Sequence, residues 1–146
     1  MNRLREVRLP LLHHSWNTFS MGKNAVADIF QSDPDDIAEL AGRFPDVTII
    51  AAHLRPGGVR GVWAVRRHAN VLYDTSGGQP TAGVLEDAVR LLGAQRVVFG
   101  SDGIFPGEGR DIAVARACVD GANITRRERE LILSENALRI LEGGRS

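Results

Sequence analysis

Four times along the chain, a short apolar run gives way to a polar or glycine-rich turn and then to an amphipathic helical stretch. The first run is Val7 to Leu12, ending in His13-His14-Ser15-Trp16. The second, Val47 to His53, is apolar on both faces, as a parallel strand covered on both sides reads. The third is Asn70 to Asp74, followed by Thr75-Ser76-Gly77-Gly78. The fourth, Arg96 to Gly100, leads into Ser101-Asp102-Gly103. Strands alternating with helices, joined by connections too long for hairpins, predict an α/β fold of parallel (β/α) units with right-handed crossovers.

The intervening helices carry their own signals. Asp33-Pro34-Asp35-Asp36 places a cap, a proline at the first helical position and acids at the N-terminus. Ile37, Leu40, Ala41 and Phe44 then form one apolar face. Further helices are predicted over about 59–68, 81–92, 111–120 and 125–141, the last opening on the capping-box spacing of Thr125 and Glu128. The 146 residues, 43% hydrophobic and 25% charged, make one ordinary globular unit. They exclude a complete (β/α)8 barrel, which takes about 250 residues.

Ligands of such sheets bind beyond the carboxyl ends of the strands. Those ends carry His14, with His13 before it, then His53, Asp74 and Asp102. Two imidazoles and a carboxylate at one mouth suit Zn2+ or a similar divalent metal with an open position, which lowers the pKa of bound water to about 7. In that arrangement Asp102 ligates the metal and takes the water's proton, while His53 is a second ligand or polarises the attacked group. Singly, each of these residues reads as a solvated loop histidine or a turn aspartate. Together, at the same end of consecutive strands, they read as a site.

Several segments resemble the metal-dependent amidohydrolase superfamily, in the amidohydrolase-related branch that includes aminocarboxymuconate semialdehyde decarboxylase. Pro10-Leu11-Leu12-His13-His14-Ser15-Trp16 is similar to its fifth strand, and Arg43-Phe44-Pro45 leading to Ile49-Ile50-Ala51-Ala52-His53 to its sixth. Asn70 to Gly77 resembles the seventh, Gly93 to Asp102 the eighth, and Ser134-Glu135-Asn136-Ala137 the closing helix. The resemblance implies the C-terminal half of a TIM barrel, with residues 1–146 as a single partial domain. It also implies His14, chosen over His13, as a metal ligand. His53 becomes catalytic base, electrophile or second-metal ligand, and Asp102 metal ligand and proton acceptor. Asp74 is expected to be structural, with Thr75 and Ser76 shaping the mouth. The His-x-His pair of the family's first strand has no counterpart here, so two ligands are expected from an absent N-terminal half.

The reading favoured by these residues is a hydrolase that cleaves a C–N or C–O bond of a small molecule with metal-activated water, acting as a fragment or truncated form. Nonoxidative decarboxylation is the alternative within the branch, and a non-catalytic half-barrel or assembly module is the alternative outside enzymes. Arg55 is a candidate for a substrate carboxylate, against a solvated loop arginine, and Trp16 a candidate for lining the pocket. Trp63 and Cys118 are expected to pack. Open edges on the first and last strands predict pairing with a second copy or with a separate N-terminal half. With 18 Lys+Arg against 18 Asp+Glu, no net field draws nucleic acid or an anionic membrane. One cysteine excludes an internal disulfide. No apolar run reaches the roughly 18 residues of a membrane span. The positive start, Met1 to Arg5, lacks the apolar core of a signal peptide, so a cytoplasmic chain is expected.

Overall fold

The computed structural model describes residues 1–15, 32–77, 83–103 and 112–143. A four-stranded parallel sheet runs in the order β1 (Leu11–His13), β2 (Ile49–Ala51), β3 (Val71–Asp74), β4 (Val97–Val98). Helix α1 (Asn2–Val7) precedes it, α2 (Pro34–Arg43) and α3 (Leu54–Val65) join the first three strands, and α4 (Val84–Leu92) leads to β4. Helices α5 (Ile112–Gly121), α6 (Arg126–Glu130) and α7 (Asn136–Gly143) follow. The α/β class and the parallel half-barrel expected from the sequence are what the chain forms.

Side chains alternate across the strands. Ile49, Ala51, Val71, Tyr73 and Val97 are buried in one core with Ile37, Ala41, Leu54, Val62 and Val65 of α2 and α3, and with Leu85 and Ala88 of α4. On the other face, the register aligns Leu12, Ile50 and Leu72, with Asp74 beside Val98. That face opens progressively towards β1: Leu72 is 6% exposed and Leu12 65%.

The strand starts are stapled by side chains that reach main-chain carbonyls. Arg96 donates from Nε to Val71 O (2.8 Å) and from its terminal nitrogens to the carbonyls of Val65, Arg66 and His68. Its burial lowers the guanidinium pKa from the ordinary value. Asn70 Nδ2 donates to Phe44 O and Val47 O, both at 3.0 Å. The fully buried Asn136 Nδ2 donates to Ala94 O (2.8 Å) and Val97 O (2.7 Å).

Several sequence boundaries move. Val7 belongs to α1, not to a strand, because Arg8 ends the helix in the left-handed region (φ 52°) and Pro10 delays pairing until Leu11. Helix α3 starts at Leu54, five residues before Val59, and continues through a non-helical Gly58 (φ 54°, ψ −164°). It ends at Val65 rather than His68, where Arg96 takes the carbonyls that would continue it. The closing stretch is not one regular helix, since Leu131–Glu135 forms a π-helical turn between α6 and α7. The capping box of Thr125 with Glu128 is present. Trp63 does not pack in the core; it is half-exposed, with the Arg66 guanidinium 4.4 Å from the ring centre. No helix among the described residues is long and apolar enough to cross a membrane.

Candidate active site

Beyond the carboxyl ends of β1, β2 and β3, three segments converge. β2 stops at Ala51, and His53 adopts a left-handed backbone (φ 75°, ψ 69°), uncommon for a residue with a Cβ. Its N–H donates to Asp74 Oδ1 at 2.9 Å, which anchors this conformation to the end of β3. Ser15 Oγ ties the β1 end to the same place by donating to Ala52 O at 2.7 Å. Strand alternation sends His14 and His53 to opposite faces; the left-handed turn brings His53 back to meet its neighbour.

The rings of His14 and His53 contact edge to face, centroids 4.5 Å apart and planes at 77°, with His14 Nδ1 and His53 Nε2 2.9 Å apart. On its far side, His53 Nδ1 lies 3.0 Å from Ser76 Oγ, whose hydroxyl donates to Asp74 Oδ1 at 2.5 Å. Ser76 N–H donates to the same oxygen at 2.9 Å. His53, Asp74 and Ser76 are buried, whereas His14 is exposed. His13 turns elsewhere, its Nδ1 contacting the main-chain oxygen of His14 at 2.8 Å.

Gly77 makes the close approach possible. At φ 80° it occupies a conformation that suits glycine, and a Cβ there would lie 2.5 Å from His53 Nδ1. Thr75 closes the β3–β4 side, donating to Gly100 O (2.9 Å) and accepting from Gly100 N–H (3.1 Å). Asp102 follows β4, half-exposed and also in the left-handed region at φ 55°. A cavity of about 350 Å3 adjoins the site on the face turned away from α2–α4, lined by Leu12, Ile50, Asp74, Val98, Phe99 and Leu141. The larger cavity, about 560 Å3, opens at the opposite end against α1 and contains none of the predicted site residues.

The structure thus joins His14 to His53 and adds Ser76 and Asp74 behind them. Sequence reasoning kept Asp74 as structural and Ser76 as part of the mouth, and missed their link to the ring. The signal for it was the polar run Asp74-Thr75-Ser76 at a strand end followed by glycine. Trp16 and the Arg55 side chain lie outside the described residues. Among the described residues, no three His, Cys, Asp or Glu side chains form a group able to hold a metal ion. The facing imidazole nitrogens stand at hydrogen-bond distance, closer than the roughly 3.3 Å between two tetrahedral ligands of zinc. This donor set alone therefore does not fit a metal centre.

A parallel sheet with helices packed on one face and ionisable groups gathered beyond its carboxyl edge is the layout of half a TIM-type barrel. The chain belongs to the amidohydrolase family, whose Amidohydro_2 profile matches residues 1–143. No curated protein sequence matches it. Among solved structures it is similar to amidohydrolase 2 from Bifidobacterium longum subsp. infantis (TM-score 0.69, 17% identity), covering 97% of this chain and 52% of that one. It is also similar to 5-carboxyvanillate decarboxylase from Sphingomonas paucimobilis (TM-score 0.70, 16% identity, 97% and 51% coverage). A third is dihydroxybenzoic acid decarboxylase from Polaromonas sp. JS666 with bound manganese and 2-nitroresorcinol (TM-score 0.66, 18% identity, 99% and 53% coverage). The chain spans about half the length of these structures. The family is metal-dependent, as the divalent metal expected from the sequence requires, and the Polaromonas structure holds manganese.

Proposed function

We propose that residues 1–146 are a single partial domain carrying the closing half of an amidohydrolase-type active site. We further propose that the completed barrel decarboxylates a small carboxylated aromatic molecule without a redox cofactor. The observation that carries this reading is the His14–His53 pair held against Ser76 and Asp74 beside an apolar cavity. Two of the three structural neighbours described above are decarboxylases of such acids, which supports it. In the reaction, the ring carbon bearing the carboxylate takes a proton, the C–C bond breaks, its electron pair restores the ring, and CO2 leaves. Asp102 delivers that proton and His53 orients the acid.

The metal belongs to the proposal only in a completed barrel. There His14 and Asp102, with His53 in a binuclear case, join donors from the remaining strands, on this polypeptide or another. Zn2+ and Mn2+ are both candidates. A small molecule, not nucleic acid or a membrane, is the proposed partner, and Arg55 and Trp16 are proposed to contact it. Hydrolysis of a C–N or C–O bond is the second reading, favoured by the family itself and by the Bifidobacterium neighbour. In that case Asp102 takes a proton from the attacking water.

The test is reconstitution of the 146-residue chain with a separately expressed first half of an amidohydrolase barrel, in Mn2+ or Zn2+. 5-Carboxyvanillate and 2,6-dihydroxybenzoate are offered as substrates, and an amide and a lactone series in parallel. CO2 release that His53→Ala and Asp102→Ala abolish supports decarboxylation, whereas turnover of the amides or lactones alone supports hydrolysis. A folded, metal-loaded assembly inert to all of them overturns both readings in favour of a non-catalytic half-barrel.

A further inference from the structure

We propose that Ser76 and Asp74 are positioning residues that dictate where the protons of the His53–His14 pair reside. The inference deepens the reading of His53 as a site residue, and its geometry stands on this chain alone. A carboxylate accepts hydrogen bonds and donates none. Asp74 Oδ1 receives the Ser76 hydroxyl proton as well as the N–H groups of Ser76 and His53. The single proton of Ser76 Oγ is thereby committed, so Ser76 Oγ meets His53 Nδ1 as an acceptor, and Nδ1 carries the hydrogen. In a neutral imidazole the other nitrogen is then an acceptor. His53 Nε2 faces His14 Nδ1 at 2.9 Å, so His14 Nδ1 donates and its lone pair falls on Nε2.

One carboxylate thus sets two tautomers in series. His53, Ser76 and Asp74 are each less than a tenth exposed, so bulk water does not compete for these links. Gly77 lets the chain turn beneath the ring without displacing it. The outcome puts the lone pair of His14, the exposed imidazole of the two, on Nε2.

The experiment records the histidine ring nitrogens by long-range proton–nitrogen NMR on the 146-residue chain, at a pH of about 8.5, above the ordinary histidine range. Both His53 and His14 should show a pyrrole-type Nδ1 and a pyridine-type Nε2. Ser76→Ala should move both rings to averaged shifts of mixed tautomers. Asp74→Asn should leave the pattern intact, because the amide oxygen accepts the same three donors. A wild-type spectrum with the hydrogen on His53 Nε2 overturns the proposal, and so does a Ser76→Ala spectrum identical to wild type. If Ser76→Ala does not fold, the wild-type assignment still decides. In the reconstituted barrel, Ser76→Ala should lower kcat about 10- to 100-fold, the usual cost of losing the partner of a site histidine, with KM little changed. A wild-type barrel without turnover would sink the functional reading and leave the tautomer result standing.

Discussion

The two ends of the sheet use polar side chains in different ways. At the amino ends of the strands, Arg96, Asn70 and Asn136 spend their donors on main-chain carbonyls, and each bond closes a turn or starts a strand. At the carboxyl ends, side chains bond to one another as well as to the main chain, and two residues that carry a Cβ, His53 and Asp102, hold positive φ. Backbone strain of this kind costs about 1–3 kcal/mol per residue and persists only where surrounding contacts enforce it. One end therefore stabilises the fold, and the other spends some of that stability on geometry.

If that division is right, damage at the two ends should be separable. The largest loss of stability is expected from Arg96→Ala, which strips four carbonyls of a charged donor. Bonds to charged groups contribute about 1.5–3 kcal/mol each at most, and part of this guanidinium is wet, so urea unfolding should show a loss of about 3–4 kcal/mol. The ring-nitrogen pattern of His14 and His53 should not change. A change there would show that the two ends are coupled.

Gly77→Ala attacks the other end. The added methyl meets the His53 ring, and alanine must also hold φ 80°. A stability loss of about 2–3 kcal/mol is expected, with the proton contact between the His14 and His53 rings lost from NOE spectra. Asn136→Ala should cost less, about 1–2 kcal/mol by the same unfolding assay. It removes two bonds to Ala94 O and Val97 O, but it also removes a buried Oδ1 that has no hydrogen-bond partner among the described residues. A loss much above that range would mean that Asn136 holds more than the start of β4.

The contrast between the ends also marks what the sequence could disclose. Parallel strands, the apolar face and Asp33 cap of α2, and the capping box of Thr125 with Glu128 follow from local rules, because periodicity and hydrogen-bond spacing are local quantities. The presence of His14, His53 and Asp102 at strand ends was legible for the same reason. The direct contact between the His14 and His53 rings was not. Alternation counted from Ile49 and Ala51 puts His53 on the helix side, and only a left-handed residue anchored by Asp74, 21 positions later, reverses it. The start of α3 at Leu54 was hidden by Gly57-Gly58, which reads as a turn but lies within the helical stretch. Arg96 looked like the first residue of a strand, and its four acceptors lie 25 to 31 residues away.

The smallest effect tests whether every carboxylate at the carboxyl end serves the site. Asp33 caps α2, accepting from Asp35 N–H at 2.6 Å and from Arg60 at 2.7 Å, and Arg60 pairs with Asp35 as well. Burial alone would raise the Asp33 pKa, but the Arg60 guanidinium and the Asp35 N–H outweigh it and hold the carboxyl below its ordinary value. A depressed native pKa stabilises the fold above the unfolded value of about 3.9, and the benefit fades as pH falls through the native value. Asparagine caps as well as aspartate, so Asp33→Asn removes the charge and keeps the cap. The variant should be less stable than wild type by under about 1 kcal/mol at neutral pH, since the partners are partly exposed. That difference should shrink towards zero as the pH falls through the depressed native value, while the ring nitrogens of His14 and His53, read at about pH 8.5, stay as in wild type. A stability gap that persists in acid would assign Asp33 a role other than its ion pair. A shift of the histidine nitrogens would extend the proton-setting network beyond Asp74.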